Sequence, residues 1–455
     1  MKSTNYIRIA LLLAAISFAG CDAEQSFIGT PGSGGGGLSG GGTGGGTGGG
    51  TGGGGGLEPL LQFETGYLFD DFVAGRISGD GTTMVWVDTE DPVGTNPGGN
   101  TQLFAKDLAS DTITQLTLDP VLFSYRVREW DVTDNGDFVV FVSSNDITGD
   151  NPFGEGNVFV APTNGSGITQ VTRINAATNS VRDPQIANSG VIVFASAEDL
   201  TGDNPVINSA QIFTINFDGT GLRQVTTGDL DVRDLAFADE GNRIAFTSNG
   251  DPFGTNVDST DEIFVIDIDG TNLTQLTESD TFSEKPRISD DGSLVAFVSS
   301  ADLAAGQNVE QNPEVFVATA DGSAIAQISS STTRASGYYS GVGTSATTPS
   351  FALTGPGSLD ISGDGTTVVY GSSADHTGDN PDGYHTIFAA PASGTGVPTQ
   401  ILRTGTVSID ALNFRADRPS VTTNGTGVLF ISQYNLTSFD QSVGDSFRIY
   451  TADIQ

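Results

Sequence analysis

A unit of about 57 residues recurs seven times between residues 57 and 455, and this periodicity leaves few folds open. Each unit carries a turn glycine, then an aromatic about five residues on inside an apolar run. The clearest copies are Gly81 with Trp86, Gly136 with Phe141, Gly241 with Phe246, Gly292 with Phe297 and Gly365 with Tyr370. Gly190 with Phe194 is one residue shorter, and Gly425 with Phe430 completes the set. A second apolar run follows each, as in Val158-Phe159-Val160, Ile263-Phe264-Val265 and Ile387-Phe388-Ala389. Period-two alternation, β-branched residues and Asp-Gly turns make these hairpins of strands.

A third element is a short strand centred on glutamine, as in Thr114-Gln115-Leu116-Thr117, Thr169-Gln170-Val171-Thr172 and Thr274-Gln275-Leu276-Thr277. Six copies follow their hairpins. The seventh stands at the other end of the repeat region, as Leu61-Gln62-Phe63-Glu64. An N-terminal strand that completes the last sheet closes a ring and removes exposed edges. The expected fold is all-β: a seven-bladed β-propeller, rather than six or eight blades, with the N-terminal strand closing the last blade. A closed ring of this kind is expected to be a monomer.

Segments such as Pro286-Arg287-Ile288-Ser289-Asp290-Asp291-Gly292-Ser293-Leu294-Val295-Ala296-Phe297, and Ile263-Phe264-Val265-Ile266-Asp267-Ile268-Asp269-Gly270, resemble the TolB-type, WD40-like propeller repeat of bacterial envelope proteins. The resemblance spans residues 57–455. It implies the propeller fold and an envelope setting, and leaves function open, because such propellers serve as scaffolds, binders and occasional enzymes.

Residues 1–20 read as an export signal. Lys2 and Arg8 precede the apolar run Ile9 to Ala15, which is too short to span a bilayer. The run ends in Phe18-Ala19-Gly20-Cys21, which resembles the lipobox of bacterial lipoproteins. Cys21, the one cysteine of the chain, sits where a diacylglycerol would be attached. Residues 21–56 then form a tether, with 20 glycines in the 28 positions from 29 to 56. Such a segment has nothing to bury and gains nothing by ordering. The expected place is the bacterial cell envelope, outside the cytoplasm, touching membrane through the anchor only.

Charge narrows the partners. Eighteen Lys and Arg stand against 55 Asp and Glu, a net charge of −37. Phosphate backbones are bound by clustered cations that release counterions, so nucleic acid is excluded as a partner. One cysteine rules out an internal disulfide, and two histidines (His376 and His385) exclude most His-rich metal chemistry. No Gly-x-Ser-x-Gly elbow, cysteine nucleophile or His-Glu-x-x-His occurs, and a non-enzymatic protein is expected.

Candidate sites fall on the face that holds the loops between the second and third strands of each blade, the B–C loops. Three of these carry nearly one phrase: Asp146 to Pro152, Asp199 to Pro205 and Asp375 to Pro381, each with Thr-Gly-Asp-Asn-Pro. Asp146, Asp150, Asp199, Asp203, Asp375 and Asp379 suit Ca²⁺, a hard cation. The same residues equally suit turns in which Asp and Asn bond their own backbone. His376 and His385, with Asp379 and Asp382, are expected in a solvated loop.

Eight residues before the turn glycine, Arg128, Arg182 and Arg233 fall in register, each followed by an acid: Glu129, Asp183 and Asp234. They form either an anion-binding arc near the channel mouth or an Arg–carboxylate network between blades. The irregular segment 330–356 adds Tyr338 and Tyr339 as candidate contacts. The expected ligand is an envelope protein or a small anion. The alternatives are calcium binding by the loops, and carbohydrate chemistry by a carboxylate pair facing across the channel.

Overall fold

The computed structural model describes residues 59–62, 75–89, 91–118, 129–152, 154–174, 181–202, 209–238, 240, 242–331, 359–372, 374–378, 386–401, 416–432 and 448–454. All of them belong to the unit Gly54–Gln455. The signal, Cys21 and the tether lie outside the described residues.

Strand β1 (Pro59–Gln62) comes first. Blade 1 is β2 (Gly75–Ile77), β3 (Thr83–Asp88), β4 (Gln102–Asp107) and β5 (Thr112–Gln115). Blade 2 is β6 (Trp130–Val132), β7 (Phe138–Ser143), β8 (Asn157–Pro162) and β9 (Thr169–Gln170). Blade 3 is β10 (Arg182–Ile186), β11 (Val191–Ser196), β12 (Gln211–Asn216) and β13 (Arg223–Gln224). Blade 4 is β14 (Arg233–Phe237), β15 (Arg243–Ser248), β16 (Glu262–Asp267) and β17 (Thr274–Gln275). Blade 5 is β18 (Ser283–Ile288), β19 (Leu294–Ser299), β20 (Glu314–Thr319) and β21 (Ile325–Gln327). Blade 6 is β22 (Leu359–Ile361), β23 (Thr367–Ser372), β24 (Thr386–Pro391) and β25 (Thr399–Gln400). Blade 7 is β26 (Ala416–Val421), β27 (Gly427–Ser432) and β28 (Arg448–Asp453), completed by β1 on its outer edge.

Seven four-stranded antiparallel sheets result, and their first strands pack in the cycle β2, β6, β10, β14, β18, β22, β26 and back to β2. The expected seven-bladed propeller is what forms. Its core is built from the aromatic of each second strand. Trp86, Phe141, Phe194, Phe246, Phe297, Tyr370 and Phe430 each sit opposite an aromatic of the third strand in register. All seven pairs are stacked, with centroids 5.4–5.9 Å apart and planes within 17–21°. Offset stacking adds to the burial of two large apolar side chains in each blade.

Closure of the ring departs from the repeat in one detail. In six blades the fourth-strand glutamine lies opposite the third-strand aromatic, as Gln170 does Phe159. In blade 7, Gln62 lies opposite Arg448 and Pro59 takes the place opposite Tyr450, with an irregularity between Pro59 and Leu61. The physical reason is connectivity. A tight turn fixes the register of a hairpin, and β1 reaches β28 with no turn between them.

Blade-to-blade hydrogen bonds between first turns tie the ring at its turn face. Asp80 N donates to Asp134 O (2.9 Å), Asp290 N to Gly363 O (2.9 Å), Asp364 N to Thr423 O (2.8 Å) and Thr423 N to Gly79 O (2.8 Å). The last of these joins blade 7 to blade 1.

Candidate functional site: the loop face and the central channel

The polar residues that repeat from blade to blade brace the loops. In blade 2, Asp146 Oδ1 accepts the backbone N–H of Asn151 (2.7 Å), and Asn151 donates its amide to Glu155 O (2.8 Å). Asp91 with Asn96, Asp251 with Asn256 and Asp302 with Asn308 repeat the first bond at 2.6, 2.9 and 3.0 Å. The Thr148 hydroxyl reaches Gln170 Oε1 (3.0 Å), while Gln170 Nε2 donates to Thr172 O (2.9 Å). The Thr172 hydroxyl closes the network by accepting Val158 N–H and donating to Asn157 Oδ1, both at 2.9 Å. In blades 1 to 4 a B–C loop threonine, Thr95, Thr148, Thr201 or Thr255, bonds the fourth-strand glutamine in this way, so the glutamine is a strut between that strand and the loop. In blades 4 and 5 the Asn157 position holds Glu262 and Glu314, whose carboxyls are pushed up by burial despite accepting hydroxyl hydrogens.

Asp146, Asp150, Asp199 and Asp375 lie exposed on these loops, and Asp150 pairs with Arg173 at 3.2 Å. Asp203 and Asp379 lie outside the described residues. Among the described residues, no three His, Cys, Asp or Glu side chains gather in a way that would hold a metal. His376 departs from the solvated loop expected of it. Its ring packs edge-on against Tyr370 and Phe388, and its nitrogens meet Ser330 O (3.1 Å) and Ser372 Oγ (2.9 Å). Burial holds its pKa below the usual value.

Arg182 and Arg233 open β10 and β14, the first strands of their blades. Arg233 pairs with Asp231 at 3.0 Å and Asp261 at 3.1 Å; Arg182 donates to Val232 O (2.6 Å) and lies 3.8 Å from Asp231. Arg182 therefore reaches across the blade 3–4 boundary, Arg233 is held by carboxylates of its own blade and of the connection that leads into it, and Asp231 lies between the two arginines. Arg128, Tyr338 and Tyr339 lie outside the described residues.

Each of β10, β14, β18 and β26 carries a bulge just after this point. In the first three the following residue is left-handed: Asp183, Asp234 and Lys285, with φ of 51°, 43° and 58°. Asp183 is held well above the usual carboxylate range by burial, then by the nearby charges of Glu129 and Asp234. The Glu129 carboxylate accepts the Asp183 backbone N–H across the blade boundary.

This arrangement predicts a pH effect. A carboxyl whose folded pKa is raised costs no stability below its unfolded pKa, near 4, and costs progressively more as pH rises through the folded value. Asp183→Asn keeps the shape and tolerates the left-handed backbone. The variant is expected to match the parent Tm near pH 4 and exceed it at pH 8. Equal Tm values at both pH values would remove the raised carboxyl from the account.

Deeper in the channel lies a second ring, three residues further along each first strand than Arg182 and Arg233. Five residues before each turn glycine stand Arg76, Asp131, Gln185, Ala236, Arg287, Asp360 and Ser420. All seven line one cavity of about 110 Å³ that extends toward the turn face, where Asp134 and Asp290 also border it. Arg76 Nη1 pairs with Asp131 Oδ1 at 2.8 Å, and Asp131 Oδ2 accepts Ile186 N–H at 3.1 Å. Asp360 Oδ2 accepts Val421 N–H at 3.0 Å. Burial raises the pKa of both Asp131 and Asp360, against the pull of Arg76 and Arg287 respectively. The sequence signal for this ring was the same turn glycine, read five residues back.

No protein-family model matches the chain, and no curated protein sequence matches it. Solved structures do. An oligogalacturonate lyase from Vibrio parahaemolyticus is 14% identical, with a TM-score of 0.51 over 88% of this chain and 97% of that one. An oligogalacturonate lyase in complex with manganese is also 14% identical, with a TM-score of 0.51 over 84% and 88% of the two chains. TolB from Acinetobacter baumannii is 13% identical, with a TM-score of 0.39 over 84% and 79%. At such identities the likeness to the lyases is one of fold.

Proposed function

We propose that this chain is a non-enzymatic display propeller of the bacterial cell envelope, anchored by lipid on Cys21, that binds a protein partner across its B–C loop face. The observation that carries this reading is the direction of β1. Gln62 pairs with Arg448, at the loop end of β28, and Pro59 lies toward the opposite end. β1 therefore runs from the side of the turns at Pro59 toward the B–C loops at Gln62.

The loop face also presents apolar tips. Phe253, Val257 and Val309, on neighbouring blades 4 and 5, are 52%, 85% and 66% exposed. Loops braced by their own Asp, Asn and Thr side chains hold these tips in place, so little ordering cost falls on the encounter. Asp131 and Asp360, the carboxylates that sugar chemistry would call on, have lone pairs committed to N–H groups of the next blade. That commitment supports a binding role over a catalytic one.

The test is site-specific photo-crosslinking in cells. A crosslinker at Val257 is expected to give a discrete adduct, and one at Leu222, on the turn side, none. Adducts from Leu222 alone would reverse the orientation, and adducts from neither would remove the partner. Separately, Cys21→Ser is expected to release the protein from the membrane fraction, and mass spectrometry of the parent should find diacylglycerol on Cys21.

A further inference from the structure

Two adjacent blades break the loop phrase at one position. The asparagine that braces the B–C loop is followed by proline in blades 1, 2, 3 and 6, at Pro97, Pro152, Pro205 and Pro381. Blades 4 and 5 place Val257 and Val309 there instead. Both loops keep the bracing: Asn256 Nδ2 donates to Thr260 O and Asn308 Nδ2 to Asn312 O, each at 2.8 Å. The two valines therefore stand at corresponding points of neighbouring loops, and both are exposed. Proline stiffens a turn and valine does not, so the exchange offers the loop itself nothing. Phe253, also exposed, is a third apolar side chain, on the same loop as Val257.

Charge on this surface has one sign. The two B–C loops, 249–261 and 300–313, and the connection 276–282 that leads from β17 to β18 contain no Lys, Arg or His. Asp251, Asp258, Glu278, Asp280, Asp302 and Glu310 are all exposed. Glu278, Asp280 and Glu310 make no hydrogen bond or ion pair among the described residues. Asp261, half-buried at the end of its loop, pairs with Arg233. Elsewhere on this face cations are present: Arg173 pairs with Asp150, and Arg182 and Arg233 flank Asp231.

We propose that the loop tips of blades 4 and 5 are the docking surface for a cationic segment of the partner protein, one that carries lysine or arginine beside apolar side chains. This rests on the reading that the B–C loop face binds a protein, and it names the chemistry of the contact. Phe253, Val257 and Val309 supply apolar area that leaves water on binding. The carboxylates around them attract the incoming charge and set its orientation. The same carboxylates repel an anionic membrane surface or a phosphate backbone.

Two measurements test it. The first is fluorescence anisotropy of a short labelled peptide of lysine and leucine against the full chain, with a glutamate–leucine peptide as control. The lysine peptide is expected to bind, and the glutamate peptide is not. Glu278→Gln, Asp280→Asn and Glu310→Gln together should weaken binding about tenfold. Val257→Ser with Val309→Ser should weaken it by a similar factor at unchanged charge. Asp218→Asn, Asp269→Asn and Asp321→Asn, the same charge change at exposed acids of the turn face, should leave it within about twofold. Equal losses from the two charge triples, or none from the valine pair, would overturn the proposal. The second measurement repeats the cellular crosslink from Val257 in the Glu278, Asp280 and Glu310 triple variant. A weaker adduct than the parent's is expected, and the parent's crosslinked partner peptide should carry lysine or arginine. An undiminished adduct overturns the proposal and leaves the partner standing. No adduct in the parent removes the partner itself, and the proposal with it.

Discussion

Alanine in place of Phe246 is expected to lower stability by about 3–5 kcal/mol, the usual cost of emptying an aromatic site in a packed core. Phe246 is fully buried and stacks on Phe264 at 5.6 Å with planes 17° apart. It also packs with Val193, Ile212 and Val225 of blade 3, so its cavity opens at the boundary between two blades. Few rearrangements can refill it, because the strands on both sides are held by continuous ladders. Urea denaturation followed by tryptophan fluorescence and far-UV circular dichroism measures the loss. Coincident transitions would show the ring failing as one unit; separated ones would show blades 3 and 4 opening first. Val257→Ala, at a side chain 85% exposed, serves as the control and should stay within about 0.5 kcal/mol of the parent.

Gly250→Ala is expected to cost roughly 1–3 kcal/mol through crowding, although it adds a single methyl. A Cβ at Gly250 would lie 2.3 Å from the carbonyl oxygen of Asp229 and 2.8 Å from Leu230 Cα. These are backbone atoms that no rotamer change can move. The segment is held from both sides, since the Ser248 hydroxyl donates to Leu230 O and Gly250 N donates to Ser248 Oγ at 3.0 Å. In blade 5 the same position is Ala301, whose N–H makes the same bond to Ser299 Oγ at 3.0 Å. Ala301→Gly should therefore be mild where Gly250→Ala is not. Faster hydrogen exchange at Leu230 and Gly250, alongside the lower Tm, would place the damage at this contact.

The loops show how far pattern reading reaches. Thr-Gly-Asp-Asn-Pro and the fourth-strand Gln-x-Thr were visible as repeats, and each is a local bonding scheme whose partners are a turn or a hairpin apart. Asp146 with Asn151, and Gln170 with Thr172, need only short-range geometry to meet. Arg182 and Arg233 were legible as strand-opening residues. Their partners were not. Asp231 serves both arginines from a connection between blades, and Asp261 reaches Arg233 from a B–C loop. Counting eight residues back from the turn glycine also crosses a bulge in blades 3, 4, 5 and 7, where strand alternation is reset. Counting five back stays inside the regular strand, and there the channel ring appears.

The sequence by itself determined the hairpins, the seven blades and the strand that closes them. These rest on side-chain alternation, turn glycines and apolar pairs, all set within one repeat. Only the tertiary structure decided which charges face one another. Arg76 and Asp131 are 55 residues apart along the chain and meet because two blades dock side by side. It also decided the offset of β1 on β28, where no turn dictates register. Local chemistry specifies each blade, and closure of the ring brings one position from every blade into the same channel.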